Sequence, residues 1–202
     1  MVLLAVVASA KFACGQAVYD NSSTDTGYRL MVTNNQVLGG EVFMDQSQLA
    51  VSPYLTNFAF EYYSPNASWS GTVQADIKFY LNDGTPYHGY GSPGTLFYDS
   101  GLFPIYAPAS VYGPGVNVAV VPFSWMDLYL PYDPITQAGA LVNMDINAAL
   151  PQNFTVVYSF SGMAGEDQIG LAVFNPPTVG TNYGDYWLMN GVSWELVTND
   201  AG

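Results

Sequence analysis

The sequence predicts an all-β protein, an antiparallel β-sandwich with jelly-roll-like winding, and three observations lead there. Apolar residues alternate with polar ones in short runs, which is the period of a half-buried strand. The 20 glycines and 13 prolines interrupt every long window, and a helical domain could not absorb them. Turn-forming residues recur between the runs, as they do between the strands of two packed sheets. Roughly eight to eleven strands are expected on this basis.

Tyr28, Leu30 and Val32, then Val42 and Met44, open the series. Phe58, Phe60 and Tyr62 follow, alternating with Asn57, Ala59 and Glu61. The cleanest run is Val73-Gln74-Ala75-Asp76-Ile77-Lys78-Phe79-Tyr80-Leu81, apolar at every odd position. Asn82-Asp83-Gly84 then supplies residues tolerant of positive φ, as a tight turn requires. Val116, Val118 and Val120 form the next strand, followed by Phe154, Val156, Tyr158 and Phe160. Ile169, Leu171 and Val173 come after them, and Val192, Trp194 and Leu196 close the chain. In that context Trp187 and Trp194 read as core residues. Residues 136–150, with Ala138, Ala140, Leu141 and Met144, have room for one or two helical turns. Three long loops, 84–94, 104–115 and 175–186, combine prolines with tyrosines. Long loops stiffened in this way often carry function, because the strands hold them in place.

A chain of 202 residues, half of them hydrophobic and 15% aromatic, can bury a sizeable core. Only 9% are charged, against roughly 25% in ordinary soluble domains. Beyond residue 17 the basic side chains are Arg29 and Lys78 alone, and the net charge is -13. Phosphate backbones and anionic membranes need Lys and Arg clusters, so nucleic acid is not an expected partner. Val2 to Ala8 is an apolar run followed by small residues up to Ala17, so residues 1–17 read as a secretory signal segment. That run is too short to span a bilayer, which takes roughly 20 apolar residues. The one cysteine, Cys14, lies in the segment, so after cleavage neither disulfides nor thiolate metal sites are expected. There is no internal repeat, and residues 18–202 read as one β-sandwich domain. The expected location is extracellular or at the cell surface.

Catalytic patterns are weak. His88 is the sole imidazole, in a glycine-rich loop with no nucleophile near it in sequence and no G-x-S-x-G elbow anywhere. The sixteen carboxylates could in principle supply a glycoside-cleaving pair, but they are scattered singly. No cofactor is expected and no metal ligands are assigned. Calcium is a candidate only at the oxygen-rich segments 20–25 and 165–168, neither with EF-hand spacing. Ordinary Asx turns, which need no metal, are the favoured account of both segments. Binding is better supported. Of 16 tyrosines, Tyr63, Tyr80, Tyr87, Tyr90 and Tyr112 fall at solvent-facing or loop positions, and Trp69 lies in a polar turn. Sugar rings stack on such faces, and protein partners use them as anchors. Trp69, Tyr87, Tyr90 and Tyr112 are therefore the candidate ligand-binding residues. Asn21, Asn66 and Asn153 head N-x-S/T triplets.

Several segments resemble the secreted bacterial proteins that carry a PEP-CTERM sorting signal, found in exopolysaccharide-producing, biofilm-forming lineages. They are Val18-Tyr19-Asp20-Asn21, Phe58-Ala59-Phe60-Glu61-Tyr62-Tyr63, Phe79-Tyr80-Leu81-Asn82-Asp83-Gly84 and Pro93-Gly94-Thr95-Leu96-Phe97-Tyr98-Asp99-Ser100-Gly101. Asn175-Pro176-Pro177-Thr178-Val179-Gly180 and Asn182-Tyr183-Gly184-Asp185-Tyr186-Trp187 complete the set. No Pro-Glu-Pro, apolar span or basic tail follows Asp200-Ala201-Gly202. The resemblance implies export, a β-sandwich and no assigned catalytic residue. The function expected is adhesion or assembly in the envelope or biofilm matrix, without catalysis. Its partners would be polysaccharide, other matrix proteins or further copies of the chain. A carbohydrate-binding module using loop aromatics is the alternative, and a glycoside-active enzyme the weakest.

Overall fold

Where the alternation is cleanest, the chain pairs on both sides. Strand β4 (Gln74–Tyr80) buries Ala75, Ile77 and Phe79 completely and turns Asp76, Lys78 and Tyr80 to the opposite face. The computed structural model describes residues 17–50, 58–107, 115–120 and 150–198. Within them lie β1 (Asp25–Val32), β2 (Val37–Phe43), the one-turn helix α1 (Gln46–Leu49) and β3 (Ala59–Ser64). After β4 come β5 (Leu96–Asp99), β6 (Phe103–Pro104), β7 (Gly115–Val120) and β8 (Asn153–Ser161). The chain continues with β9 (Ile169–Phe174), β10 (Thr181–Asn182), β11 (Tyr186–Asn190) and β12 (Ser193–Val197).

Every strand pair among the described residues is antiparallel. The smaller sheet has the order β1-β9-β3-β7, and the larger β12-β11-β2-β8-β4-β5, with β10 added to β2 and β6 to β4. The fold is the expected antiparallel β-sandwich. Among the described residues there are twelve strands, two of them only two residues long, which exceeds the expected number. The closing strand is really a hairpin, with Val192 at its exposed turn between β11 and β12. The signal segment up to Gln16, the helix expected within 136–149, and Tyr112 lie outside the described residues.

The core forms where the inner faces meet. Phe60 of β3 lies 5.5 Å from the Tyr158 ring and 6.2 Å from the Phe160 ring of β8, across the sandwich. Phe79 is the hub, within 4.6–5.9 Å of Phe58, Phe97, Tyr98 and Phe154. Burying one such side chain stabilises by about 2–3 kcal/mol from area alone, and offset or edge-on ring pairs add about 0.5–1.5 kcal/mol each. With no disulfide among the described residues, this aromatic packing holds the sheets together.

The lower end of the sandwich is tied by side chains. Asp167 accepts from the amides of Ser70 (2.7 Å), Gly71 (2.8 Å) and Ala164 (3.0 Å), clamping the β3–β4 turn to the β8–β9 turn. Gly162, at φ +78°, passes so close to Thr72 that a Cβ would collide with its carbonyl. α1 exists because the Asp45 side chain caps it, accepting from Ser47 N at 2.8 Å and Gln48 N at 3.2 Å.

Candidate functional site

The outward face of the larger sheet is where unusual side chains gather. Register fixes the set. β11 places Trp187 opposite Gly39 of β2, and β2 places Gly39 opposite Val157 of β8. β8 in turn sets Val157 beside Lys78 and Thr155 beside Tyr80. Trp194 of β12 pairs with Met189 of β11, on the same face. Trp187 and Val157 are buried, at 2% exposure each, yet both stand apart from the cluster between the sheets. They form a second apolar layer, covered by the loop after β4. Gly39 makes room for it: a Cβ there would stand 2.8 Å from Thr155 Cγ2 and 3.2 Å from Val157 Cγ2.

The face is concave. Strands β12 and β4 are four spacings apart, about 19 Å on a flat sheet. Nevertheless the Tyr80 and Trp194 rings come within 6.2 Å, edge to face. Side chains cannot span the remainder, so the sheet curls with this face on the inside. Tyr87 closes one wall, its ring 6.4 Å from Trp187 and 4.5 Å from His88. Tyr87 and Tyr90 exchange backbone hydrogen bonds of 2.9 and 3.0 Å across a two-residue turn. His88 (φ 51°) and Gly89 (φ 89°) are both left-handed there, as a type I′ hairpin demands.

Polar groups line the same face. Asn82 and Asn153 both donate through Nδ2 to Glu41 Oε1, the latter at 2.8 Å, and the Thr155 hydroxyl donates to Asn82 Oδ1 at 2.7 Å. The network leaves oxygens and amides beside the rings, the complement of a hydroxylated ligand. Further along, Lys78 Nζ sits 2.9 Å from Asp76 and 3.4 Å from Asp99. Burial pushes the Asp76 carboxyl up from its ordinary value, against the pull of Lys78. Burial would lower the Lys78 ammonium, but its hydrogen bond and charge contacts with Asp76 raise it overall. Two carboxylates sharing one ammonium leave this stretch acidic.

The structure separates the residues singled out from sequence. Tyr87 and the exposed Tyr90 flank the concave face. Trp69 lies beyond the opposite end of β4, about 20 Å away along the strand. Its ring packs 6.3 Å from Tyr62 and its indole N–H donates to the buried Ser64 hydroxyl at 3.1 Å, so it plugs the sandwich end. Tyr63 lies on the smaller sheet under the Arg29 guanidinium, 5.4 Å from the ring centroid. Trp187 is buried as expected but on the outer layer, and Trp194 is half-buried there rather than in the core. The two oxygen-rich segments are occupied internally: Asp20 accepts from Ser22 and Thr178, and Asp167 from three amides. No group of three His, Cys, Asp or Glu side chains among the described residues is placed to hold a metal ion. Asn21, Asn66 and Asn153 each donate their side-chain amide within the fold. Sequence reading missed Trp194, Glu41 and Asn153 as site residues. Alternation sets Tyr80 outward on β4, but it reads Trp194 as a core residue.

Among the described residues no helix is long and apolar enough to cross a membrane. No family model, no curated protein and no solved structure matches the chain.

Proposed function

We propose that this is a non-catalytic extracellular protein of the envelope or biofilm matrix. On a jelly-roll-like sandwich, it adheres to neutral polysaccharide through the concave aromatic face. The observation that supports this most is the approach of Tyr80 and Trp194 to 6.2 Å across four strand spacings, beside the Glu41–Asn82–Asn153–Thr155 network. Aromatic faces take the apolar side of a pyranose, and amides and carboxylates take its hydroxyls. Neutral rather than acidic sugars fit, because Lys78 is already paired with two carboxylates and Glu41 adds another. The same pairing favours a binding over a hydrolytic reading, since both carboxylates are anchored on one ammonium. The test is a titration of the protein with neutral and uronic-acid oligosaccharides, followed by tryptophan fluorescence. Quenching by neutral chains alone is expected; tighter binding of the acidic ones, or no response to either, rejects the proposal.

Self-association is the second reading. Met31, Tyr63 and Val116 share one row across the outer face of the smaller sheet through Gly170, and Met31, Val116 and the neighbouring Val118 are exposed. A multimer that grows with concentration in sedimentation supports it, and a strict monomer removes it.

A further inference from the structure

Between the sheets, on the other side of the larger sheet from the concave face, lies a cavity of about 460 Å³. Its walls are mostly apolar, with Phe58 and Phe60 facing Phe154 and Val156. Three features keep it from being a packing gap. Asn21 Oδ1 is buried without any hydrogen-bond partner, although its Nδ2 is fixed on the Phe174 carbonyl at 2.8 Å. That bond also sets the orientation of the amide, so the unmet atom is an acceptor. Glu61 lines the cavity half-buried, and the described cations pair elsewhere, Arg29 with Asp25 and Lys78 with Asp76 and Asp99. Burial, with the nearby Asp20 charge, pushes the Glu61 carboxyl up from its ordinary range. Tyr19 and Tyr158 add two rings to the lining, and burial raises the Tyr19 phenol to about 12 and Tyr158 further still. Tyr158 is half-buried and lines the cavity.

The lining therefore offers one unmet acceptor, the three carboxylates Asp20, Glu41 and Glu61, and aromatic faces, with no basic side chain in it. A ligand that satisfies all of these donates hydrogen bonds, carries positive charge and has an apolar body. We propose that the cavity binds a small organic cation, a primary or quaternary amine with an apolar body, held by Glu61 and the rings of Tyr19 and Tyr158. Ammonium groups are attracted to ring faces most strongly when both are desolvated. The overall charge of -13 favours entry of a cation.

Phenethylamine, 2-phenylethanol and phenylacetate share one body and differ in charge, so they separate recognition of charge from filling of space. Calorimetric titration of the full chain with each is the experiment. Phenethylamine is expected to bind about tenfold tighter than the alcohol, with phenylacetate weakest. Glu61→Gln, which removes a desolvated charge and so should fold at least as well, is expected to erase the preference for the amine over the alcohol. Tyr158→Phe keeps the ring and should bind the amine within a few-fold of the parent. Trp194→Ala, on the opposite face of the sheet, should leave amine binding unchanged, so this site stands or falls apart from the polysaccharide face. Equal binding of all three probes, no binding of the amine at millimolar concentration, or an undiminished amine preference in Glu61→Gln overturns the proposal.

Discussion

Phe79 shows how one position couples the two sheets. It alternates inward on a central strand, reaches no solvent, and touches four other rings. Phe79→Ala is expected to lose about 3–5 kcal/mol, because the surrounding rings cannot collapse into the space. Urea unfolding measures it, and a loss under 1.5 kcal/mol would mean the hub is loosely packed. Gly39 makes the complementary point on the outer layer. Its missing side chain is what lets Thr155, Val157 and Trp187 meet. Gly39→Ala should destabilise by about 1–3 kcal/mol through overpacking and shift the Trp187 emission. Unchanged stability and emission would show that the layer yields easily.

At the scale of elements, turns and loops decide which aromatics are structural and which are presented. Trp69 sits in a turn held by Asp167 and Ser64, so Trp69→Ala should lower the melting temperature, by about 2 kcal/mol equivalent for a half-buried ring. A variant as stable as the parent would mean that the ring is free. Long alternating strands were legible in the sequence: β4 and β3 bury the very residues that period two assigns inward, Ala75, Ile77 and Phe79, then Phe60 and Tyr62. β5, β6 and β10 were not legible, because two to four residues carry too little period to register. β8 departs from alternation, with Phe154 through Val157 all buried, because both of its faces are covered. Period two puts Trp187 and Met189 on one face and the β11–β12 pairing adds Trp194, but neither says which face looks inward. That depends on strands far away in sequence. The curl that joins Tyr80 to Trp194 is likewise a property of the whole sheet, and no local pattern encodes it.

For the whole molecule, carboxylates dominate the response to pH. The Arg29 guanidinium holds Asp25 down to about 2. The Ser22 hydroxyl lowers Asp20, the Ser47 hydroxyl Asp45, and the Ser70 amide Asp167. Asp83 is lowered too, the Thr95 hydroxyl and amide outweighing its burial. Groups with depressed values stabilise above their unfolded pKa of about 4 and stop doing so as pH falls through the folded value. Glu61 and Asp76 are raised by burial and act oppositely, adding stability as they take up protons below neutrality. Proton uptake also relieves the self-repulsion of a chain carrying -13. The melting temperature should therefore rise from pH 7 to about 5 and fall steeply below about 4. Calorimetry across pH 2–8 checks this, and a melting temperature still rising at pH 3 would show that the hydrogen-bonded aspartates do not support the fold.

The claim that matters most for function is that the concave face, not the plugged end of the sandwich, meets polysaccharide. Affinity electrophoresis in gels containing a neutral polysaccharide, run with Trp194→Ala and Trp69→Ala side by side, tests it directly. Trp194→Ala should weaken retardation about tenfold or more, as loss of a central aromatic anchor does, while Trp69→Ala migrates like the parent. Undiminished retardation of Trp194→Ala, or loss confined to Trp69→Ala, would contradict the account.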